Sequence, residues 1–383
     1  MFKRKQTLAL RGQESCFLWG ARQTGKSTLL KELFPDSPKY DLLLSSEFGR
    51  LQLNPSLMLQ ELIAKPPPAN VPVIIDEVQK IPQLLDDIQW LIVNKNMQFI
   101  LCGSSARKLK RSGANLLGGR ALRFELYPLV YPEIPEFDLV RALNHGLIPR
   151  HYLSDRPNLL LESYVGEYLK EEIAAEALTR NVPAFGRFLE AAAFSNGNVV
   201  VYKNIASECG VSAPTVKEYF EIIVDTLIGD FVPSFQKRPK RRVVQAPRFY
   251  FFDVGLANYL LKRKSLLPKS EAFGKAFEHF IYQELLAHSH YSQLKYPISY
   301  WHTTSDLEVD FILGDHEVAL EIKAVDQITG HHLKGIKAFQ EEYTTKSAIL
   351  VSLDPKPRQL ENGILVLPWR EFLDRLWNGE IIK

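Results

Sequence analysis

Three sets of residues in this 383-residue chain combine type and spacing in ways that bear on chemistry. The first is Gly20-Ala21-Arg22-Gln23-Thr24-Gly25-Lys26-Ser27, with Thr28 directly behind it, a phosphate-binding P-loop. Its glycines let backbone N–H groups converge on phosphate oxygens where a Cβ would block the approach. Lys26 is expected to reach the β- and γ-phosphates, and the Ser27 hydroxyl to ligate Mg²⁺. Farther along, the apolar run Val71–Ile75 closes on Asp76-Glu77, a Walker B pattern. Asp76 would hold the hydration shell of Mg²⁺, and Glu77 would orient or deprotonate the attacking water. The second set is Asp310, then Glu321-Ile322-Lys323, with Glu278 upstream. The third is the basic run Lys237-Arg238-Pro239-Lys240-Arg241-Arg242.

Each set needs particular elements to hold it. Cys16-Phe17-Leu18-Trp19 reads as a buried parallel strand ahead of the P-loop, and Ser27–Phe34 as a helix stopped by Pro35. A third strand, Phe99–Gly103, ends in Ser104-Ser105, where a small polar group could sense the γ-phosphate. A helix is expected over Ala106–Leu117, followed by Gly118-Gly119-Arg120 and the strand Leu122–Leu126. Arg120 is the favoured arginine finger toward a neighbouring subunit's γ-phosphate, with Arg107, Arg111 and Arg123 as rivals. A guanine-reading Asn-Lys-x-Asp is missing, since Asn94-Lys95-Asn96-Met97 lacks the Asp, so ATP is preferred over GTP.

Gly20–Ser27, Val73–Glu77, Leu101–Ser105, Gly119-Arg120 and Leu126-Tyr127-Pro128-Leu129 together resemble the AAA+-type ATPases of archaea and bacteria. In that family the ATPase is followed by a C-terminal domain of unknown function. The resemblance spans essentially the whole chain. The P-loop, Ser27 and Asp76 call for ATP and Mg²⁺, and an Arg120 supplied by a neighbour makes a homo-oligomer the expected assembly.

Between about 150 and 200 the pattern is helical, with Tyr164, Tyr168 and Ile173 as a buried stripe. Val201–Phe220 then reads as helix, turn at Gly210, Ser212 N-cap and second helix. Ile205, Ala206, Val211, Val216, Phe220 and Ile223 would form the seam, leaving Ser212, Ala213, Thr215 and Lys217 on a face suited to a major groove. The basic run, lying between apolar stretches, is expected at the tip of a hairpin, which beside a helix-turn-helix makes a winged helix. Phosphate contacts of this kind do not separate DNA from RNA, though DNA is the expected partner.

In the last third, Phe273, Phe277, Ile281 and Leu285 recur every fourth residue, a helix with Glu278 beside its apolar stripe. The strands Leu307–Leu313 and Val318–Lys323 flank the Gly314-Asp315 turn, and alternation puts Glu321 and Lys323 on one face. Hairpin pairing can bring Asp310 to that face. This segment resembles the PD-(D/E)XK nucleases. The resemblance implies Asp310, Glu321 and Glu278 as Mg²⁺ ligands and Lys323 as the group that activates or positions water. Glu308, His279 and His302 would stand behind them. Such folds also persist as binding modules, so a cleaving and a non-cleaving reading both stand.

Length and composition frame these sites. A chain of 383 residues exceeds one ordinary core, and the expected division is an ATPase domain over 1–135, a helical and winged-helix domain over 136–262 and a nuclease-like α/β domain over 263–383. A net charge of +3 is too small to argue for nucleic acid without local clustering. No apolar run reaches a membrane span, and the basic start Met1–Lys5 is followed by an apolar stretch broken at Arg11. Cys16, Cys102 and Cys209 lie far apart among apolar neighbours, which suits buried thiols in a reducing cytoplasm. Trp369 and Trp377 are expected in the core.

Overall fold

The computed structural model describes residues 2–12, 14–105, 107, 109, 117–169, 181–237 and 240–383. Arg111, Ile173, Arg238 and most of the helix expected over Ala106–Leu117 lie outside them. Contacts divide the chain into two compact units, one of Gln6–Tyr127 with Ile222–Ile228, the other of Met1–Lys5, Pro128–Glu221 and Gly229–Lys383.

The first unit is an α/β layer. Its strands are β1 (Ser15–Trp19), β2 (Lys39–Asp41), β3 (Val73–Asp76), β4 (Phe99–Gly103) and β5 (Ala121–Glu125), in the order β2-β3-β4-β1-β5. All pairings are parallel. Strands buried on both faces read as apolar runs, which is why β1, β3 and β4 were legible. Helices α1 (Lys26–Leu33), α2 (Ser45–Leu53), α3 (Ser56–Ala64) and α4 (Leu84–Lys95) accompany the sheet, and Leu62, Leu84, Ile88 and Leu91 join Phe17, Ile75 and Leu101 in its core. The P-loop, Asp76 and Ser104 all emerge from the carboxyl ends of these strands, where parallel α/β sheets place their ligands.

The second unit begins with short helices α5 (Leu139–His145), α6 (Pro149–Leu153) and α7 (Pro157–Ser163), then a π-helical stretch Tyr164–Leu169 and α8 (Val182–Phe194). Next come α9 (Tyr202–Cys209) and α10 (Ala213–Asp225), whose last residues cluster with the first unit. Gly210 ends α9 in the left-handed region at φ 67°, and the Ser212 hydroxyl accepts from Thr215 N at 3.3 Å. Ile205, Ala206, Val216, Phe220 and Ile223 are buried and Val211 is half-buried, and Phe220 meets Phe188 of α8 and Tyr202 of α9.

Strands β6 (Gly229–Val232) and β7 (Arg248–Phe251) pair antiparallel, followed by α11 (Val254–Leu260) and the long α12 (Glu271–Tyr291). A mixed sheet follows, built from β8 (Ile298–His302), β9 (Glu308–Leu313), β10 (Val318–Lys323), β11 (Ser347–Ser352), β12 (Arg358–Gln359) and β13 (Leu365–Pro368), ordered β12-β13-β11-β10-β9-β8. Helices α13 (Lys334–Gln340) and α14 (Trp369–Trp377) complete it. Phe273, Phe277, Phe280 and Ile281 of α12 share a core with Leu320, Ile349 and Phe372, and Trp369 and Trp377 pack against it.

The basic run lies in the connection between the paired strands β6 and β7, the expected hairpin position, but it is docked along the mixed sheet. Its flanks lie along β8: Phe235 N donates to Tyr300 O at 2.7 Å, Val244 N to His302 O at 2.8 Å, and Thr304 N to Arg242 O at 2.9 Å. Lys237 pairs with Asp315, and Arg241 reaches Glu341 at 2.5 Å and Glu342 at 2.6 Å. The physical reason is twofold. An edge strand offers unpaired backbone groups, and nearby carboxylates neutralise the cations. Arg242 and Lys240 are exposed, as are Lys217 and Ser212, while Thr215 is half-buried.

Candidate functional site

The P-loop owes its shape to two left-handed residues, Gln23 at φ 64° and Gly25 at φ 97°, the latter capping α1. Gly20 is pressed against the chain after β5: a Cβ there would lie 2.5 Å from Leu126 O, and Leu126 N donates to Trp19 O at 2.7 Å. Thr24 Oγ1 donates to Ala21 O at 2.9 Å and closes the loop. Lys26 Nζ donates to Gly20 O at 2.7 Å and Ala21 O at 3.1 Å, which holds its charge over the loop. Arg22 is half-buried, while Ser27 and Thr28 are exposed at the start of α1.

Asp76, 2% exposed, collects three donors. Ser27 Oγ donates to its Oδ2 at 2.9 Å, Lys39 Nζ lies 2.9 Å from the same oxygen, and Cys102 Sγ donates to Oδ1 at 2.7 Å. Burial opposes its ionisation, but the hydrogen bonds from Cys102, Lys39 and Ser27 win and hold its pKa below the usual value. Burial, with Asp76 beside it, pushes the Cys102 thiol well up, so it stays an S–H donor. Register explains the meeting: β3 pairs Asp76 with Asp41 of β2 and with Cys102 of β4.

Glu77 sits in the left-handed region at φ 58°, a strained position for a side-chain-bearing residue at a strand end. Burial raises its pKa, opposed by the charge of Lys26 and a hydrogen bond from Gln79. A raised pKa makes a better base. Gln79 Nε2 also reaches Ser104 Oγ at 3.4 Å, so Glu77 is linked to the end of β4. A Cβ on Gly103 would strike Gln79 Oε1 and approach Trp19 to 2.9 Å, which shows how tightly that glutamine is seated.

These groups fit Mg²⁺ and a nucleoside triphosphate: an ammonium over a glycine loop, one hydroxyl and one ionised carboxylate side by side, and a buried base. Mg²⁺ in such sites takes one or two protein ligands and completes its shell with phosphate oxygens and water. Among the described residues no group of three or more His, Cys, Asp or Glu could hold a metal by itself.

The sensor-position residues Ser104 and Ser105 are fully buried. Arg120 is exposed just ahead of β5, whose Ala121 is level with Ser15. The P-loop leaves the other end of β1, about 16 Å away over five residues. Of its rivals, Arg107 is ion-paired to Asp225 at 2.8 Å and Arg123 to Glu125 at 2.7 Å.

In the second unit, Asp310, Glu321, Lys323 and Glu278 come together as expected. Lys323 Nζ lies 2.6 Å from Glu321 Oε1 and 3.5 Å from Asp310 Oδ2, and Ile322 N donates to Asp310 Oδ2 at 2.7 Å. The unexpected member is Arg248 of β7, 4% exposed at its side chain, which pairs with Glu308 and stands 3.6 Å from Glu278 Oε1. Tyr250 OH donates to Glu278 Oε1 at 2.5 Å. Burial and then the Asp310 charge raise Glu278 to about 7 and push Glu321 well above its usual range. Two internal cations therefore face the carboxylates expected to bind metal. His302 lies 4.0 Å from Glu308, while His279 is engaged elsewhere, with Asn196 and Phe251 O.

Sequence reading passed over Lys39, Gln79 and Arg248 and took Cys102 for an inert hydrophobe. Gln79 was findable, two residues after Glu77. Arg248 carried a signal too, a lone charge in the apolar run Arg248-Phe249-Tyr250-Phe251. Lys39 and Cys102 needed the strand order.

Known proteins supply the remaining comparison. Residues 12–135 match an AAA domain, and 136–267 and 273–372 match two domains of unknown function, DUF8612 and DUF4143. An uncharacterized protein of Haemophilus influenzae is 22% identical over 297 residues, covering 70% of this chain and 73% of that protein. A Walker-type ATPase of Pyrococcus abyssi is similar at 17% identity and a TM-score of 0.42, over 64% of this chain and 90% of its own. A signal transduction ATPase with a tetratricopeptide repeat sensor from Pyrococcus horikoshii is similar at 13% identity and a TM-score of 0.21, over 74% of this chain and 48% of its own. Among the described residues no helix is long and apolar enough to cross a membrane. The AAA match falls on the stretch in which the glycine loop with Lys26 and Ser27, after β1, meets Asp76 and Glu77, at the end of β3, and the chain therefore carries an AAA-type P-loop ATPase domain and is an ATPase.

Proposed function

We propose that this ATPase is a nucleotide-gated, DNA-binding switch whose nuclease-like C-terminal domain does not cleave. Lys26 and the loop N–H groups bind and orient the β- and γ-phosphates, and Ser27 and Asp76 hold Mg²⁺, which neutralises charge on the phosphates. Glu77 takes the proton of the attacking water, positioned by Gln79. Arg120 completes the site of a neighbouring copy, because its own P-loop lies at the opposite end of the sheet. DNA contact falls to Ser212, Thr215 and Lys217 on α10 and to Lys240 and Arg242 outside the neutralised part of the basic run. The three buried free cysteines suit a reducing cytoplasm.

The observation that carries the non-cleaving reading is the pairing of Arg248 and Lys323 with all four carboxylates of the cluster. A cation that must be displaced before metal enters disfavours turnover. One observation favours cleavage as the second reading: Glu321 Oε2 is a buried acceptor without a hydrogen-bond partner among the described residues, beside Asp310. Mg²⁺-dependent digestion of single-stranded, duplex and forked DNA and of duplex RNA separates the two. We expect no cleavage by wild type; cleavage that Lys323→Ala abolishes overturns the switch. In parallel, Glu77→Gln should lower ATP turnover by about 10²–10⁴-fold while retaining nucleotide binding, and unchanged turnover would remove Glu77 from the base role.

A further inference from the structure

The chain carries a mostly buried ion pair just beyond the end of β4. Arg107 follows the end of β4, where its backbone N donates to Ser105 Oγ at 3.1 Å, so the strand end sets its position. Its side chain is 10% exposed, and Nη1 lies 2.8 Å from Oδ2 of Asp225. Asp225 is the last residue of α10, and both residues belong to the compact ATPase unit. A second anchor sits two residues on. Leu227 packs against the ATPase core and holds the left-handed φ of 60° that closes the helix, with Ile228 N donating to Ile223 O at 2.9 Å. A leucine stays in that conformation only where its surroundings over-determine it. The other end of the same 13-residue helix carries Ser212, Thr215 and Lys217, about 20 Å away.

We infer that the Arg107–Asp225 pair is the coupling element of this ATPase, transmitting the state of the nucleotide site to helix α10. The connection starts at Glu77, passes through Gln79 to Ser104 and so to the strand end that places Arg107. Rearrangement of Glu77 on nucleotide binding changes the position of Ser104 and Arg107, and Asp225 with Leu227 moves α10 as one rigid piece. The inference rests on the switch reading for its output, DNA affinity, but the pair's response to nucleotide is measurable without DNA. Coupling is reciprocal, so DNA raises or lowers ATP affinity by the same factor.

Asp225→Asn tests it, with the charge-swapped Arg107→Asp/Asp225→Arg protein as the rescue and thermal melting as the check on folding. Duplex affinity is measured by anisotropy with and without a non-hydrolysable ATP analogue, and hydrogen exchange is followed over 213–225 under the same conditions. In wild type the analogue is expected to change duplex affinity by about 5–150-fold, the usual range of coupling. In Asp225→Asn that factor should fall below about twofold, with ATP turnover kept within about twofold, and the swap should restore it. A folded Asp225→Asn protein that keeps the wild-type factor overturns the inference. If wild type binds no duplex, the DNA reading fails by itself and hydrogen exchange decides the coupling. A nucleotide effect on 213–225 that Asp225→Asn loses upholds it. An effect that the variant keeps, or none in wild type, overturns it.

Discussion

Two carboxylate clusters in this chain look alike in sequence and behave oppositely in structure. Around Asp76 the partners are a lysine, a hydroxyl and a thiol, and the neighbouring Lys26 donates to two backbone carbonyls of the glycine loop. Around Asp310 two cations, Arg248 and Lys323, stand against four carboxylates, Glu278, Glu308, Asp310 and Glu321, and burial, then the Asp310 charge, push Glu321 well above its usual range. The cation at Asp76 is Lys39, 37% exposed at its side chain, whereas Arg248 in the second cluster is 4% exposed. Residue types alone do not tell a ligand site from an electrostatic knot. The deciding fact is which cation the fold delivers.

The largest effect expected from this contrast is on stability. Arg248→Met strands Glu278 and Glu308, and urea unfolding should show a loss of about 3–5 kcal/mol, the cost of breaking a buried pair. Added Mg²⁺ or Mn²⁺ should recover part of it in the variant and none in wild type. A loss under about 1 kcal/mol would mean that Arg248 does not neutralise the cluster.

A smaller effect belongs to the nucleotide site. Gln79→Leu keeps the volume but removes the donor to Glu77, and turnover should fall about tenfold with nucleotide affinity nearly unchanged. Equal losses in both would show that Gln79 supports the fold of the loop rather than the base.

The smallest is a pH signature. Glu278 has a folded pKa of about 7 against an ordinary 4.5, so the folded state binds the extra proton between those values. Stability should therefore fall as pH rises from about 5 to 7.5, by about 1–2 kcal/mol, and level off above. Asp76 works the other way: its lowered pKa contributes stability above the usual carboxylate range, lost only in acid. Glu278→Gln should flatten the slope between pH 5 and 7.5, seen as denaturation midpoints. A slope that survives in the variant assigns it to another group.

Much of the nucleotide site was legible because a P-loop is a local object. Gly20 to Ser27 is eight consecutive residues, and the strand before and helix after it are continuous with them. Asp76 and Glu77 announced themselves at the end of an apolar run. What could not be read were the groups that meet Asp76 across the sheet, since Lys39 and Cys102 arrive only through the order β2-β3-β4. The C-terminal quartet was read from its strands and helix, yet its character was decided by Arg248, sixty-odd residues before Asp310 and on another pair of strands. The basic run shows the same limit. Its charges were plain, but Asp315, Glu341 and Glu342, which quench Lys237 and Arg241, lie far along the chain.

That docked run has a consequence for how the protein behaves in company. Strand β8 is the outermost member of the mixed sheet, and its free side would be a template for a stranger's backbone. The segment flanking Lys237 to Arg242 occupies that side at Tyr300 and His302 and is fastened there partly by surface ion pairs. Salt weakens such fastenings. Concentrated stocks held at high ionic strength should accordingly self-associate sooner than those kept at low, a reversal of the usual advice for proteins with a basic patch.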